Sequence, residues 1–228
     1  PHEKEYFVPI TFTEQISPLS EQDPSIKMKS NLFNSIEYAR SLDPDQQRLY
    51  CVNICLIYPP TSLKIRFLPF LSAICSYSKL LLLQIARNSW EAFETHPQLE
   101  RMGSWLGVLT NSQGRPPPLY MLNLPKLLRE TIDCGTFGHA MIFLTAFYSK
   151  VLNLFQPPHP ITNLVLEILA AVMNTPGIRT HIIEKIHKFG ELLKVDVSYY
   201  FNRSIIIPEN SFDRYAQFSN ESDSVIFK

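Results

Sequence analysis

The segment 137–155 most constrains what this chain can fold into, because Phe137, Met141, Leu144, Tyr148, Val151 and Phe155 recur at steps of four and three. In a helix that spacing puts all six on one face, whereas a strand would scatter them over both. The stripe stops at Gln156-Pro157-Pro158-His159-Pro160, where prolines lack the N–H groups that a continuing helix needs. A second stripe, Ile161, Leu164, Val165, Ile168, Leu169 and Val172, runs up to the Asn174-Thr175-Pro176-Gly177 break, and a third holds Ile182, Ile186, Phe189 and Leu193. Three such helices with short connections can hide their apolar faces only against one another.

The same grammar extends upstream. Segment 25–41 carries Leu32, Ile36 and Ala39; 45–58 carries Leu49, Val52 and Leu56; 79–95 carries Leu82, Ile85, Ala86 and Phe93. Segment 62–76 contains Pro69, so that helix either kinks there or begins late. Leu99, Met102, Leu106 and Leu109 form another stripe ahead of the 111–118 loop, and Asn123 followed by Pro125 reads as a capped start for 124–133. The nine segments make four or five pairs of roughly 40 residues. The predicted fold class is therefore all-α, a HEAT-like solenoid of helical hairpins, although no strict sequence repeat is visible. The strand signal is confined to 204–208, where Ile205-Ile206-Ile207 suits an extended segment. The expected organisation is an extended leader at 1–24, a helical docking domain at 25–203 and an extended tail at 204–228.

Composition narrows the function. The 228 residues are 45% hydrophobic and 18% charged, too apolar for general disorder, and one elongated domain suffices to hold them. Lys+Arg and Asp+Glu are both 21, so no net positive field favours a phosphate backbone, and nucleic acid is not an expected ligand. Cys51, Cys55, Cys75 and Cys134 sit in apolar contexts without a CxxC pair, which points to reduced core thiols rather than zinc and fits the cytosol. Lys, Arg, Asn or Pro interrupts the longest apolar runs, so no membrane span is expected. The chain begins at Pro1 without a methionine, as an excised fragment would.

Catalytic patterns are weak. His181 and His187 stand six apart, on different faces of one helix, and neither they nor His139 and His159 have the spacing of a HExxH metal site. Gly103-Ser104-Trp105-Leu106-Gly107 does not centre its serine between glycines as a nucleophile elbow does, and suits a close approach of two helices instead. Gly135-Thr136-Phe137-Gly138 lacks the Lys-Ser/Thr of a phosphate loop and reads as a helix-joining turn. Trp90, Trp105, Tyr199 and Tyr200 suit core packing better than hot spots, and Arg115-Pro116-Pro117-Pro118 suits a span between two helices better than a polyproline ligand. The reading is of a non-enzyme with no metal and no cofactor.

Met102-Gly103-Ser104-Trp105-Leu106-Gly107-Val108-Leu109-Thr110 resembles the GxWLGxLT-like helix in the central domain of the large Not scaffold subunit of the eukaryotic CCR-NOT deadenylase complex. Three further features follow in the family's order: the helix start Leu124-Pro125-Lys126-Leu127-Leu128-Arg129-Glu130, the Lys150-Val151-Leu152 run in a long apolar helix, and the joint at 155–160. Phe70-Leu71-Ser72-Ala73-Ile74 and Ala86-Arg87-Asn88 look like the preceding helices. The resemblance covers about residues 80–200, and implies a fold like the middle domain of initiation factor 4G. It implies as partners a Caf/Pop-type deadenylase, the other subunits of the complex and, in many members, a DEAD-box RNA helicase of translational repression and decapping. It places the work in the cytoplasm, with the nucleus as a second compartment, and leaves catalysis to the partners. Family contacts to the nuclease on an early helix map to 45–58, with Leu49, Tyr50, Asn53 and Ile57 as the candidate partner-binding residues. The rival reading from the same fold is the middle domain of a translation-initiation or splicing factor that binds only the helicase.

Overall fold

The computed structural model describes residues 24–60, 68–87, 92–114, 117, 121–202 and 205–207. Residues 1–23 of the leader, the tail apart from 205–207, Trp90 and most of the 115–120 loop lie outside the described residues, and Pro24, expected in the leader, opens the first helix. Among those described there are eight α-helices and no strand: α1 Pro24–Ser41, α2 Pro44–Ile57, α3 Leu68–Arg87, α4 Ala92–Gln113, α5 Leu124–Asp133, α6 Phe137–Phe155, α7 Pro160–Met173 and α8 Thr180–Leu193. A short 3-10 helix, Val197–Tyr200, follows.

Local chemistry sets several boundaries. Asp43 accepts from the backbone N–H groups of Asp45 and Gln46 at the head of α2, and Asn123 accepts from Lys126 N at 3.1 Å at the head of α5. Proline occupies the first turn of α2, α5 and α7, where a missing N–H costs nothing. Lys194 takes left-handed geometry at the end of α8, and the Val195 N–H bonds back to the Gly190 carbonyl at 3.0 Å to close that end.

Two of the nine expected segments are differently drawn. Pro69 opens α3 rather than kinking it, and the helix then runs without interruption to Arg87, fusing 62–76 with the first half of 79–95. Residues 92–95 belong instead to α4, which starts well before Leu99 and carries Pro97 within its second turn. Fusion also gives α3 an 18-residue stretch, Pro69–Ala86, long and apolar enough by composition to cross a membrane; the expected polar interruptions are too few to prevent that. Half of that stretch is buried by its neighbours, and Lys79 within it donates to the Met121 carbonyl at 3.0 Å, which marks a core helix of the stack.

The helices pair as α1–α2, α3–α4, α5–α6 and α7–α8. The even-numbered helices form one layer, α2 against α4, α4 against α6 and α6 against α8, while α3 packs on α2 and α4, and α5 packs on α6 and α7. This is the helical-hairpin stack expected from the stripes. All six stripe residues of α6 and all four of α8 are buried, as are Leu32, Ile36, Ala39, Leu99, Met102, Leu106 and Leu109. Leu164 and Leu49 break the pattern, being 47% and 54% exposed.

The tightest seam is α4 against α6. An ideal Cβ on Gly103 would lie 2.3 Å from the Phe143 carbonyl oxygen, and one on Gly107 would lie 2.6 Å from the Phe147 oxygen. Contacts advance together along the two helices, Gly103 with Phe143 and Gly107 with Phe147, so α4 and α6 run parallel. The expectation that these small residues let two helices approach closely is met.

One turn of α4 also closes the end of α2. Trp105 is fully buried, stacks edge-to-face on Phe70 at 5.5 Å, and donates from Nε1 to the Cys55 and Tyr58 carbonyls at 3.2 and 3.1 Å. Arg101 donates to the Leu56 carbonyl. The last carbonyls of a helix have no partner within it, and here a second helix supplies the donors. Trp105→Phe would keep the ring stack and strand these acceptors, so a loss of about 1–3 kcal/mol is expected. Urea denaturation checks it: a lower midpoint at unchanged m supports the capping role, and an unchanged midpoint removes it.

Candidate interaction surface

Cys51, Val52, Ile54 and Cys55 bury one face of α2. Leu49, Asn53 and Ile57, four residues apart, fall on the opposite face by helical geometry. Leu49 and Ile57 are 54% and 62% exposed, and Asn53 between them is half-buried. Three of the four candidate partner-binding residues thus share one outward strip.

Tyr50 stands apart from that strip. Its ring meets Tyr38 of α1 edge-on at 5.2 Å, and its hydroxyl is hydrogen-bonded to Ser35. Burial raises its pKa, and the Ser35 bond opposes that rise. Tyr50 therefore fastens α1 to α2 and is only partly available to a partner. The fastening is reinforced at the turn, where Gln47 Nε2 donates to the Ala39 carbonyl at 3.0 Å.

Two large side chains not anticipated from the sequence are also exposed on this hairpin. Phe33 and Tyr38 on α1 are 57% and 53% exposed. Both lie off the Leu32, Ile36 and Ala39 stripe, and that offset was the available signal. Large apolar side chains exposed on two adjoining helices are the raw material of a protein interface.

The cysteines behave as core thiols with one exception. Cys51, Cys55 and Cys75 are buried, and burial pushes the Cys51 and Cys75 thiols up to about 12 and Cys55 well above its usual value. Cys134 corrects the expectation, since it is exposed at the end of α5. No three His, Cys, Asp or Glu side chains converge as metal ligands among the described residues. His181 and His187 are exposed on α8, and His159 stacks on Phe155 at 4.6 Å at the head of α7. His139, in the first turn of α6, sets its ring against His96 of α4 at 4.8 Å. A shallow cavity of about 360 Å³ lies between α5, α7 and Ile205–Ile207, with Ile132 and Ile168 in its wall and Arg129 and Asp133 at its side. Ile205–Ile207 forms no strand, and the Ile205 N–H bonds back to the Asn202 carbonyl at 3.0 Å.

No family model matches the chain. Among curated proteins it is 29% identical over 106 residues, 44% of its length, to the CCR4-NOT transcription complex subunit let-711 of Caenorhabditis elegans. The match takes in only 4% of that relative, so the chain corresponds to a small part of a much longer protein. Its sequence likeness is to a subunit of a multiprotein complex.

Proposed function

We propose that this chain is a non-catalytic scaffold domain of a CCR-NOT deadenylase complex, with the helical stack of 25–203 as its docking unit. The observation that carries this reading is the likeness to a CCR4-NOT subunit in a chain whose described part is a stack of helical hairpins. It supports the deadenylase scaffold over the helicase-binding factors of translation initiation or splicing. The stack is of the kind found in the middle domain of initiation factor 4G. Its partner is a Caf/Pop-type poly(A) nuclease, held by the outward strip of α2, and its site of action is the cytoplasm.

The strip suits this task because Leu49 and Ile57 lose water-exposed apolar area on docking while contributing little to the stack itself. Leu49→Ala with Ile57→Ala is expected to weaken the complex by at least tenfold, about 1.4 kcal/mol, with circular dichroism and melting temperature preserved. Tyr50→Ala is a poorer probe, since it would also loosen α1. Calorimetry with the nuclease from the same organism tests both levels. No binding by the unmutated chain would remove the deadenylase reading, whereas full-strength binding by the double variant would remove only the assignment of the surface.

A further inference from the structure

At one end of the α4–α6 seam three basic groups from three helices meet. His96 of α4 and His139 of α6 stack with ring centroids 4.8 Å apart at a tilt of 47°. Lys185 of α8 reaches the same corner, donating from Nζ to the Gly138 carbonyl at 3.0 Å beside His139. The Nδ1 of His139 is buried without a hydrogen-bond partner, so no acceptor stands ready there to hold an added proton. From the geometry of this corner we propose that His96, His139 and Lys185 form an acid-released latch that holds α4, α6 and α8 together only while both imidazoles are uncharged.

The reasoning is electrostatic. Among the described residues, His96 from α4 and Lys185 from α8 bear on His139, and Lys185 bears on His96. Around Lys185, His181 on the same helix also feels Arg179, and Glu184 on α8 is the acidic member, acting on His181. Burial, then His96 and then Lys185 push His139 down to about 4, and burial and Lys185 lower His96 too. Burial also lowers Lys185. The unfolded chain protonates these histidines near 6.5, well above the folded His139 value of about 4. The latch is therefore fully engaged above pH 6.5 and is lost progressively as pH falls toward 4. Charging one ring places a cation against a second imidazole and an ammonium, and the relief is separation of the helix ends.

The test is a histidine NMR titration with hydrogen exchange read at the starts of α4 and α6 on the whole chain. The expected result is coupled imidazole titrations below 6.5, with protection at this corner falling before protection at the Gly103–Phe143 seam. Lys185→Met should raise the midpoint of the His139 titration by removing a neighbouring cation. His139→Gln should flatten the pH dependence at the corner, and His96→Gln serves as the second variant if that one folds poorly. A His139 titration at the ordinary value, a midpoint indifferent to Lys185→Met, or simultaneous loss of protection throughout would each overturn the latch.

Discussion

Leu144→Asp is expected to abolish stable folding at neutral pH. Leu144 sits 1% exposed in the middle of the α6 stripe, so the substitution removes packed hydrocarbon and puts a carboxylate where nothing can pair with it. Core truncation alone costs about 2–5 kcal/mol, and a buried unpaired charge adds to it. Against a total stability of roughly 5–15 kcal/mol, little would remain. The control is Leu164→Asp on α7, where the side chain is exposed and the same charge should cost about 0.5 kcal/mol or less. Thermal melts followed by circular dichroism distinguish them. A normal melting temperature for Leu144→Asp would mean that the inward face of α6 is wrongly assigned.

Gly103→Val should be comparably severe, for a different reason. Alanine is intrinsically better than glycine in a helix by about 1 kcal/mol, so propensity alone predicts stabilisation at positions 103 and 107. The seam reverses the sign. The atom nearest a new Cβ at Gly103 is the Phe143 carbonyl oxygen at 2.3 Å, and Ala146 Cβ stands at 3.0 Å; at Gly107, Lys150 Cβ stands at 2.7 Å. A carbonyl embedded in a helix cannot swing aside as a flexible side chain can, so the whole of α6 must shift. Gly103→Ala is therefore expected to cost about 1–3 kcal/mol and Gly103→Val more. Gly103→Ala with Gly107→Ala should cost less than the two single changes together, because one displacement of α6 relieves both clashes. Chemical denaturation of the four variants measures this, and a stabilised Gly103→Ala would show that α4 and α6 do not touch as described.

The regular parts of this fold were legible because their residues obey one rule. In α6 and α8 every stripe position is buried, since each helix is covered along one face by its neighbours. The rule fails where covering is incomplete. Leu49 and Leu164 have the right spacing, but nothing in a helix's own periodicity reports whether a neighbour reaches its margin. Proline at 69 was ambiguous for a related reason: the ring forbids a helical interior yet favours a first turn, and only the packed structure decides which applies. The GxxxG spacing at 103 and 107 was readable as a close approach, though not which helix approaches. The strip at Leu49, Asn53 and Ile57 came from resemblance, and the structure adds that Tyr50 is committed to α1. The meeting of His96 with His139 had no sequence signal, because 43 residues separate them and neither has a motif around it.

The bracing of α2 by Arg101 and Trp105 has a mechanical consequence. A stack in which each hairpin touches mainly its neighbours yields to tension by peeling from an end. Here the second helix is bolted through its terminal carbonyls to the fourth, and the fourth is locked backbone-to-backbone on the sixth. A pull on α1 would first strip the Tyr38–Tyr50 contact, then meet a resistant block spanning α2, α4 and α6. Load entering through a partner on the outer strip of α2 would bypass that weak first step and pass directly into the block.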